Sequence, residues 1–233
     1  MPVRQAMGRA TGARGGKMRA KAAMSMTLMI CAAAGLLGIA ALRADSLGGA
    51  RVINIDEDRP DLNFVGQFVN SGADSHQFGY VSRIEGIDNV FNSDTSKDES
   101  TAMFTFSTQA TNVQVINNGP IRAVNRTGKT TIYYHPEGGA SFSDPSTFEA
   151  GLPIQVSDYQ QQVVLDPSTP FPFTTTHLNT ITSTRWFALN GQLLRLGLAH
   201  SAYRTHYLGR VNAPGLTPSG WFAGYAVGVS RNW

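Results

Sequence analysis

Residues 171–210 read FPFTTTHLNTITSTRWFALNGQLLRLGLAHSAYRTHYLGR, and the centre of this stretch, Leu189-Asn190-Gly191-Gln192, is a strong hairpin signal. Both turn residues tolerate positive φ, as a two-residue type I′ turn requires. Such a turn sets a register in which Leu189 faces Gln192. Continued outward without interruption, that register places Phe187 opposite Leu194, Ile181 opposite His200, His177 opposite Arg204, Thr175 opposite His206 and Phe173 opposite Leu208. Side chains alternate across a strand, so these residues share one face. It is largely apolar but holds a polar island of Thr175, His177, Asn179, His200, Arg204 and His206. The reverse face carries a comb of threonines, 174, 176, 180, 182 and 184, opposite Ser201, Tyr203, Thr205 and Tyr207. Arms of this length far exceed the usual strand of about 5–6 residues, so a bend is expected near 183–185 or at Gly197. A bulge there would exchange the faces of part of the pairing.

Outward from the hairpin, the same texture repeats. Strands are expected at 62–70, 77–86, 101–108, 112–116, 121–125, 130–134, 157–165 and 221–229. They are separated by turn clusters such as Asn117-Asn118-Gly119-Pro120, Arg126-Thr127-Gly128 and the corner DPSTP at 166–170. Residues 45–61 read as a flexible arm with room for one edge strand around Val52–Ile55. No stretch after residue 44 keeps a 3.6-residue apolar period, so the domain at 62–233 is all-β. About ten short strands make an antiparallel β-barrel, with a β-sandwich as second choice. Strand glycines such as Gly66 and Gly79 supply curvature, and closure removes exposed edges, which favours the barrel. In architecture alone the plan is similar to calycin (lipocalin-like) and allene-oxide-cyclase-like barrels, which implies an interior able to hold a small molecule.

The first 44 residues differ from the rest. They hold seven Lys or Arg and no acid, then the apolar run MSMTLMICAAAGLLGIAAL at 24–42 and a small residue, Ala44, at the break. That order describes a helical signal peptide cleaved after Ala44 or Ala41, or a retained membrane anchor. The expected location is therefore exported, periplasmic or extracellular, with membrane contact only through this segment if it is uncleaved. Removing its seven basic residues from the chain's 19 leaves 12 against 16 acids, a net charge of −4. The remaining domain offers nucleic acid no basic surface. The chain's only cysteine, Cys31, lies in the apolar run, so the domain must stand on its own core.

Motifs exclude more than they assign. Gly128-Lys129-Thr130 lacks both the earlier glycine and the following helix of a phosphate-binding loop. There is no G-x-S-x-G elbow and no H-E-x-x-H, and no cofactor is expected. The acids at 56–61 lack the spacing of a calcium loop. For the polar island four readings compete: core histidines satisfied by hydrogen bonds, a pocket for a partly apolar and anionic ligand with Arg204 as its charge partner, acid–base catalysis by His177 or His206, and zinc, which the arginine would repel. The leading expectation is a small-molecule ligand in the barrel; a cyclase or isomerase using the same pocket and a structural or surface-interaction domain are the alternatives. The end of the chain, GWFAGYAVGVSRNW at 220–233, resembles the last strand of bacterial outer-membrane barrels, with Trp221, Ala223, Tyr225 and Val227 alternating outward. The polar residues on both faces of the central hairpin do not fit a lipid-facing wall.

Overall fold

A computed structural model describes residues 48–55, 61–166, 172–212 and 219–228. The signal or anchor segment and the corner at 167–170 lie outside the described residues. Eight strands close into an antiparallel barrel: β2 (Leu62–Ser71), β3 (Asp74–Ile84), β4 (Phe104–Asn118), β5 (Ile121–Tyr134), β6 (Leu152–Leu165), β7 (Pro172–Thr184), β10 (Ala202–Val211) and β11 (Ser219–Gly228). Around the wall the order is β10-β11-β2-β3-β4-β5-β6-β7. Three more strands, β1 (Gly48–Ile53), β8 (Trp186–Leu189) and β9 (Gln192–Leu196), form a small separate sheet in which β1 runs parallel to β9.

The small sheet seals one end of the barrel. Phe187 on β8 packs against Tyr134 and edge-to-face on Phe104 of the barrel wall, with ring centroids 5.0 and 5.6 Å apart. Ile53, Leu194 and Leu196 complete the seal and are buried in the same apolar core as Ile154 and Ile181. Gln155, on the inner wall, donates to the Leu196 carbonyl at 3.0 Å and accepts from the Tyr203 hydroxyl at 3.0 Å, which ties seal to barrel.

The turn at Asn190-Gly191 is present, with φ of 51° and 75°, and β8 pairs with β9 in the expected register. Beyond it, the expected pairing needs correction. Strand β7 ends at Thr184 and β8 begins at Trp186, while the return arm breaks between Leu196 and Ala202. In that break, Ile181 faces two residues: its amide donates to the Ser201 carbonyl at 2.9 Å and its carbonyl accepts from the His200 amide at 2.8 Å. This is a β-bulge, and His200, at φ 71°, takes the left-handed conformation usually given to glycine there. The one extra residue moves β10 by one position: Thr205, not Arg204, lies opposite His177, and Tyr207, not His206, lies opposite Thr175. Strand β7 therefore faces inward as expected, and β10 faces the opposite way.

A second correction concerns β5. The cluster Arg126-Thr127-Gly128 is not a turn; β5 runs through it without interruption and pairs with both neighbours along its length. Gly128 is present because the strands approach closely there. A Cβ at that position would lie 2.0 Å from the Gln109 carbonyl oxygen and 2.7 Å from the Tyr159 ring. Glycine inside a strand marks such an approach.

Candidate ligand-binding cavity

Inward-facing residues of four strands meet halfway along the barrel and form a hydrogen-bonded belt. Gln161 on β6 is its hub. Its side-chain amide donates to the Tyr207 hydroxyl and to His177 Nε2, both at 2.7 Å. Its carbonyl oxygen accepts from Gln77 at 3.3 Å and from the Tyr159 hydroxyl at 3.4 Å. The Tyr207 hydroxyl in turn donates to Gln77 Oε1 at 2.8 Å. Because Nε2 of His177 accepts, the ring carries its proton on Nδ1 and is neutral. Burial holds the His177 pKa down to about 3, and the nearby charge of Arg126 acts in the same direction. Burial pushes the hydroxyls of Tyr159 and Tyr207 well above the ordinary tyrosine range.

Above the belt, toward the end away from the seal, the barrel opens into a cavity of about 360 Å³. Its walls are apolar: Phe68, Val124, Val163, Leu165, Phe173 and Val211. Arg126 reaches across its floor. Its guanidinium donates to Asn112 Oδ1 at 2.8 Å, Ser75 Oγ at 3.1 Å, Gln161 Oε1 at 3.4 Å and Asn70 Oδ1 at 3.4 Å. All four acceptors are neutral. Among the described residues no carboxylate forms an ion pair with it. Burial lowers the Arg126 pKa, with the charge of Arg122 as a further lowering contribution. Arg122 is exposed and lines the same cavity. Below the belt lies a smaller cavity of about 50 Å³ lined by Asn179, Thr205 and Tyr203 among others. Asn179 Nδ2 and Thr205 Oγ1 are buried beside it with no hydrogen-bond partner among the described residues.

Of the six residues expected to form the site, three point inward: Thr175, His177 and Asn179, all buried. His177 belongs to the belt, Asn179 to the lower cavity. The other three are not brought to them. Arg204 is exposed on the outer wall, His206 packs outside against Tyr225 with ring centroids 5.9 Å apart, and His200 sits exposed in the bulge. The bulge is the physical reason for all three.

The residues missed were Arg126, Arg122, Gln77, Gln161, Tyr159 and Tyr207. A signal for the first two was present. Read as one strand with period two, 121–134 puts Arg122, Val124, Arg126, Gly128, Thr130, Ile132 and Tyr134 on one face, which is the inner face observed. A further cluster lies on the outer wall, where His76 Nε2 is 3.0 Å from Ser107 Oγ and Ser107 Oγ is 2.7 Å from Glu149 Oε1. The serine donates to the glutamate, so the imidazole donates to the serine. A nucleophile requires the opposite direction, and the cluster fastens the 3₁₀ turn Pro145–Glu149 over β3 and β4. Comparison with known proteins gives no match to a family model, a curated sequence or a solved structure.

Proposed function

We propose that this chain is an exported binding protein that holds a small, partly apolar ligand in the open mouth of its barrel. The observation that carries this reading is the cavity above the belt. At about 360 Å³ it falls within the ~300–1,000 Å³ typical of small-molecule sites, and it has their usual make-up of apolar walls with a few convergent polar groups. The site differs from the one first expected: Arg126 takes the place assigned to Arg204. Export rests on the basic-then-apolar segment at 1–44.

A cyclase or isomerase would draw on the belt for proton transfer. Efficient general acid–base groups have pKa values near the working pH. With His177 near 3 and the tyrosines raised, the belt supports holding a ligand rather than converting one. A lipid-facing wall is also disfavoured. The outward row on β11 is apolar, with Trp221 and Tyr225 exposed, but β5 to β7 present Lys129, Asp158, Gln160 and Thr176.

Fluorescence titration with the neutral probe N-phenyl-1-naphthylamine tests the reading. Binding should be saturable, and Leu165→Trp, which narrows the rim, should weaken it at least tenfold. An unchanged affinity in that variant would move the ligand out of the mouth. Release of the protein by osmotic shock tests export, and retention until detergent is added would favour an anchor.

A further inference from the structure

The cavity's chemistry is uneven from floor to rim, and that unevenness says which end of a ligand goes in first. The floor holds Arg126, Gln77 and Tyr207; the rim is formed by Leu165, Val211 and Phe173, with Arg122 at its edge. Arg122 and Arg126 are four residues apart on one face of β5, about 13 Å along the strand at ~3.3 Å per residue. Between them Val124 pairs directly with Val163, and Arg122 pairs with Leu165, so the wall separating the two cations is apolar.

Arg126 is a half-buried cation that meets no counter-charge among the described residues. A guanidinium has five N–H donors. Four hydrogen bonds to neutral oxygens account for four of them, two at 3.4 Å and therefore weak, and leave one on Nη2. Taking a charge out of water is costly unless an opposite charge meets it. Among the described residues the cavity's lining contains two arginines and no acid, on a domain whose net charge is −4. The belt supplies no negative group either, since its tyrosines stay protonated.

We propose, resting on the reading of the mouth as a binding site, that its ligand is a small apolar carboxylate that enters head first. The carboxylate lies against Arg126 on the cavity floor, and its aromatic or short aliphatic body fills the space between Val124, Val163, Phe68 and Phe173. Arg122 at the rim attracts the anion on entry. The remaining Nη2 proton and the two long hydrogen bonds of Arg126 are the ones a carboxylate takes over, in the planar geometry that guanidinium and carboxylate share. A long-chain lipid would extend out of a cavity of about 360 Å³; a bicyclic aromatic acid would not.

Calorimetric titration of the full exported domain with 2-naphthoate and with its neutral isostere 2-naphthamide tests this. The two match in size and shape; the amide lacks the charge and carries an NH2 donor in place of one acceptor oxygen. The acid should bind at least tenfold more tightly than the amide. Arg126→Gln should abolish that preference while leaving amide binding within about threefold, and Arg126→Lys, which keeps the charge but not the fork, should retain part of it. Arg122→Gln should lower acid binding only a few-fold and reduce its salt dependence. Equal affinities for acid and amide, or a preference that survives Arg126→Gln, would overturn the head-first carboxylate while leaving the binding site in place. If neither compound binds and N-phenyl-1-naphthylamine does not bind, the site itself fails. If Arg126→Gln does not fold, the Lys variant and the wild-type acid-to-amide ratio still decide.

Discussion

The carbonyl of Ile181 accepts the amide of His200 at 2.8 Å, and at this bond the barrel's register changes by one residue. From there on, Tyr203, Thr205 and Tyr207 face inward, and Arg204, His206 and Leu208 face outward. The bulge therefore decides which side chains reach the cavity. His200 holds φ at 71°, a conformation that costs a residue with a Cβ about 1–2 kcal/mol. His200→Gly should be neutral or stabilising by up to about 1 kcal/mol in urea unfolding, whereas β-branched His200→Val should destabilise by about 1–3 kcal/mol. Equal stabilities for the two variants would contradict the strained bulge.

Gly128 makes a sharper test of the wall. Besides the Tyr159 ring at 2.7 Å, a Cβ there meets backbone, the Gln109 carbonyl at 2.0 Å and Ala110 Cα at 2.8 Å, so no rotamer change can relieve the clash. Gly128→Ala should cost about 1–3 kcal/mol or more, as overpacking does, measured as a lower urea midpoint with unchanged m-value. Gly119→Ala, in the open turn after β4 at φ 59°, meets no atom within 4 Å and should show only the smaller backbone cost. A Gly128→Ala variant no weaker than Gly119→Ala would rule out the close approach.

These two positions also show how far the sequence can be read. Alternation along β7 placed Phe173, Thr175, His177, Asn179 and Ile181 inward correctly, because an uninterrupted strand keeps its period. On β10 the same rule gave the wrong face, because the residue that breaks the period is a histidine in a conformation that sequence signals reserve for glycine. On β5 the reverse happened: Arg126-Thr127-Gly128 has turn composition, yet its glycine serves strand contact, and reading it as a turn hid Arg126. The belt was beyond reach for another reason. Gln77 and Tyr207 are 130 residues apart, and only the closure of the barrel brings them within 2.8 Å.

His177 links the belt to pH. Its pKa is about 3 in the fold against the ordinary 6.5, lowered first by burial and then by Arg126, which faces it from β5; Tyr159 and Tyr207 flank it from β6 and β10 and remain uncharged. The unfolded chain takes up this proton below pH 6.5 and the fold does not. The stabilisation is thus complete above pH 6.5 and is lost as pH falls toward 3, at about 1.4 kcal/mol per pH unit. His76 is shifted the same way by burial, opposed by Glu149, and adds a smaller slope. His177→Gln, which does not titrate, should flatten the pH dependence of urea unfolding between 6 and 4 by about one proton. A slope identical to wild type would mean that His177 is not buried neutral.

The belt itself makes an ordered prediction. Tyr207 holds two short bonds, donating to Gln77 at 2.8 Å and accepting from Gln161 at 2.7 Å; Tyr159 donates one long bond to Gln161 and accepts another from Gln77, both at 3.4 Å. Removing the Tyr207 hydroxyl leaves a buried amide proton and a buried amide oxygen without their short-range partner, a loss of about 1–3 kcal/mol. Removing that of Tyr159 takes away only weak contacts and leaves Gln161 Oε1 its other donors, so Tyr159→Phe should cost less than about 1 kcal/mol. Both rings stay in place, so packing is nearly unchanged and the difference reports the hydrogen bonds. The same order should hold for ligand binding in the mouth, because Tyr207 forms part of the cavity floor and Tyr159 does not line it. If Tyr159→Phe proves the more damaging, the hub of the belt lies elsewhere than between Gln161 and Tyr207.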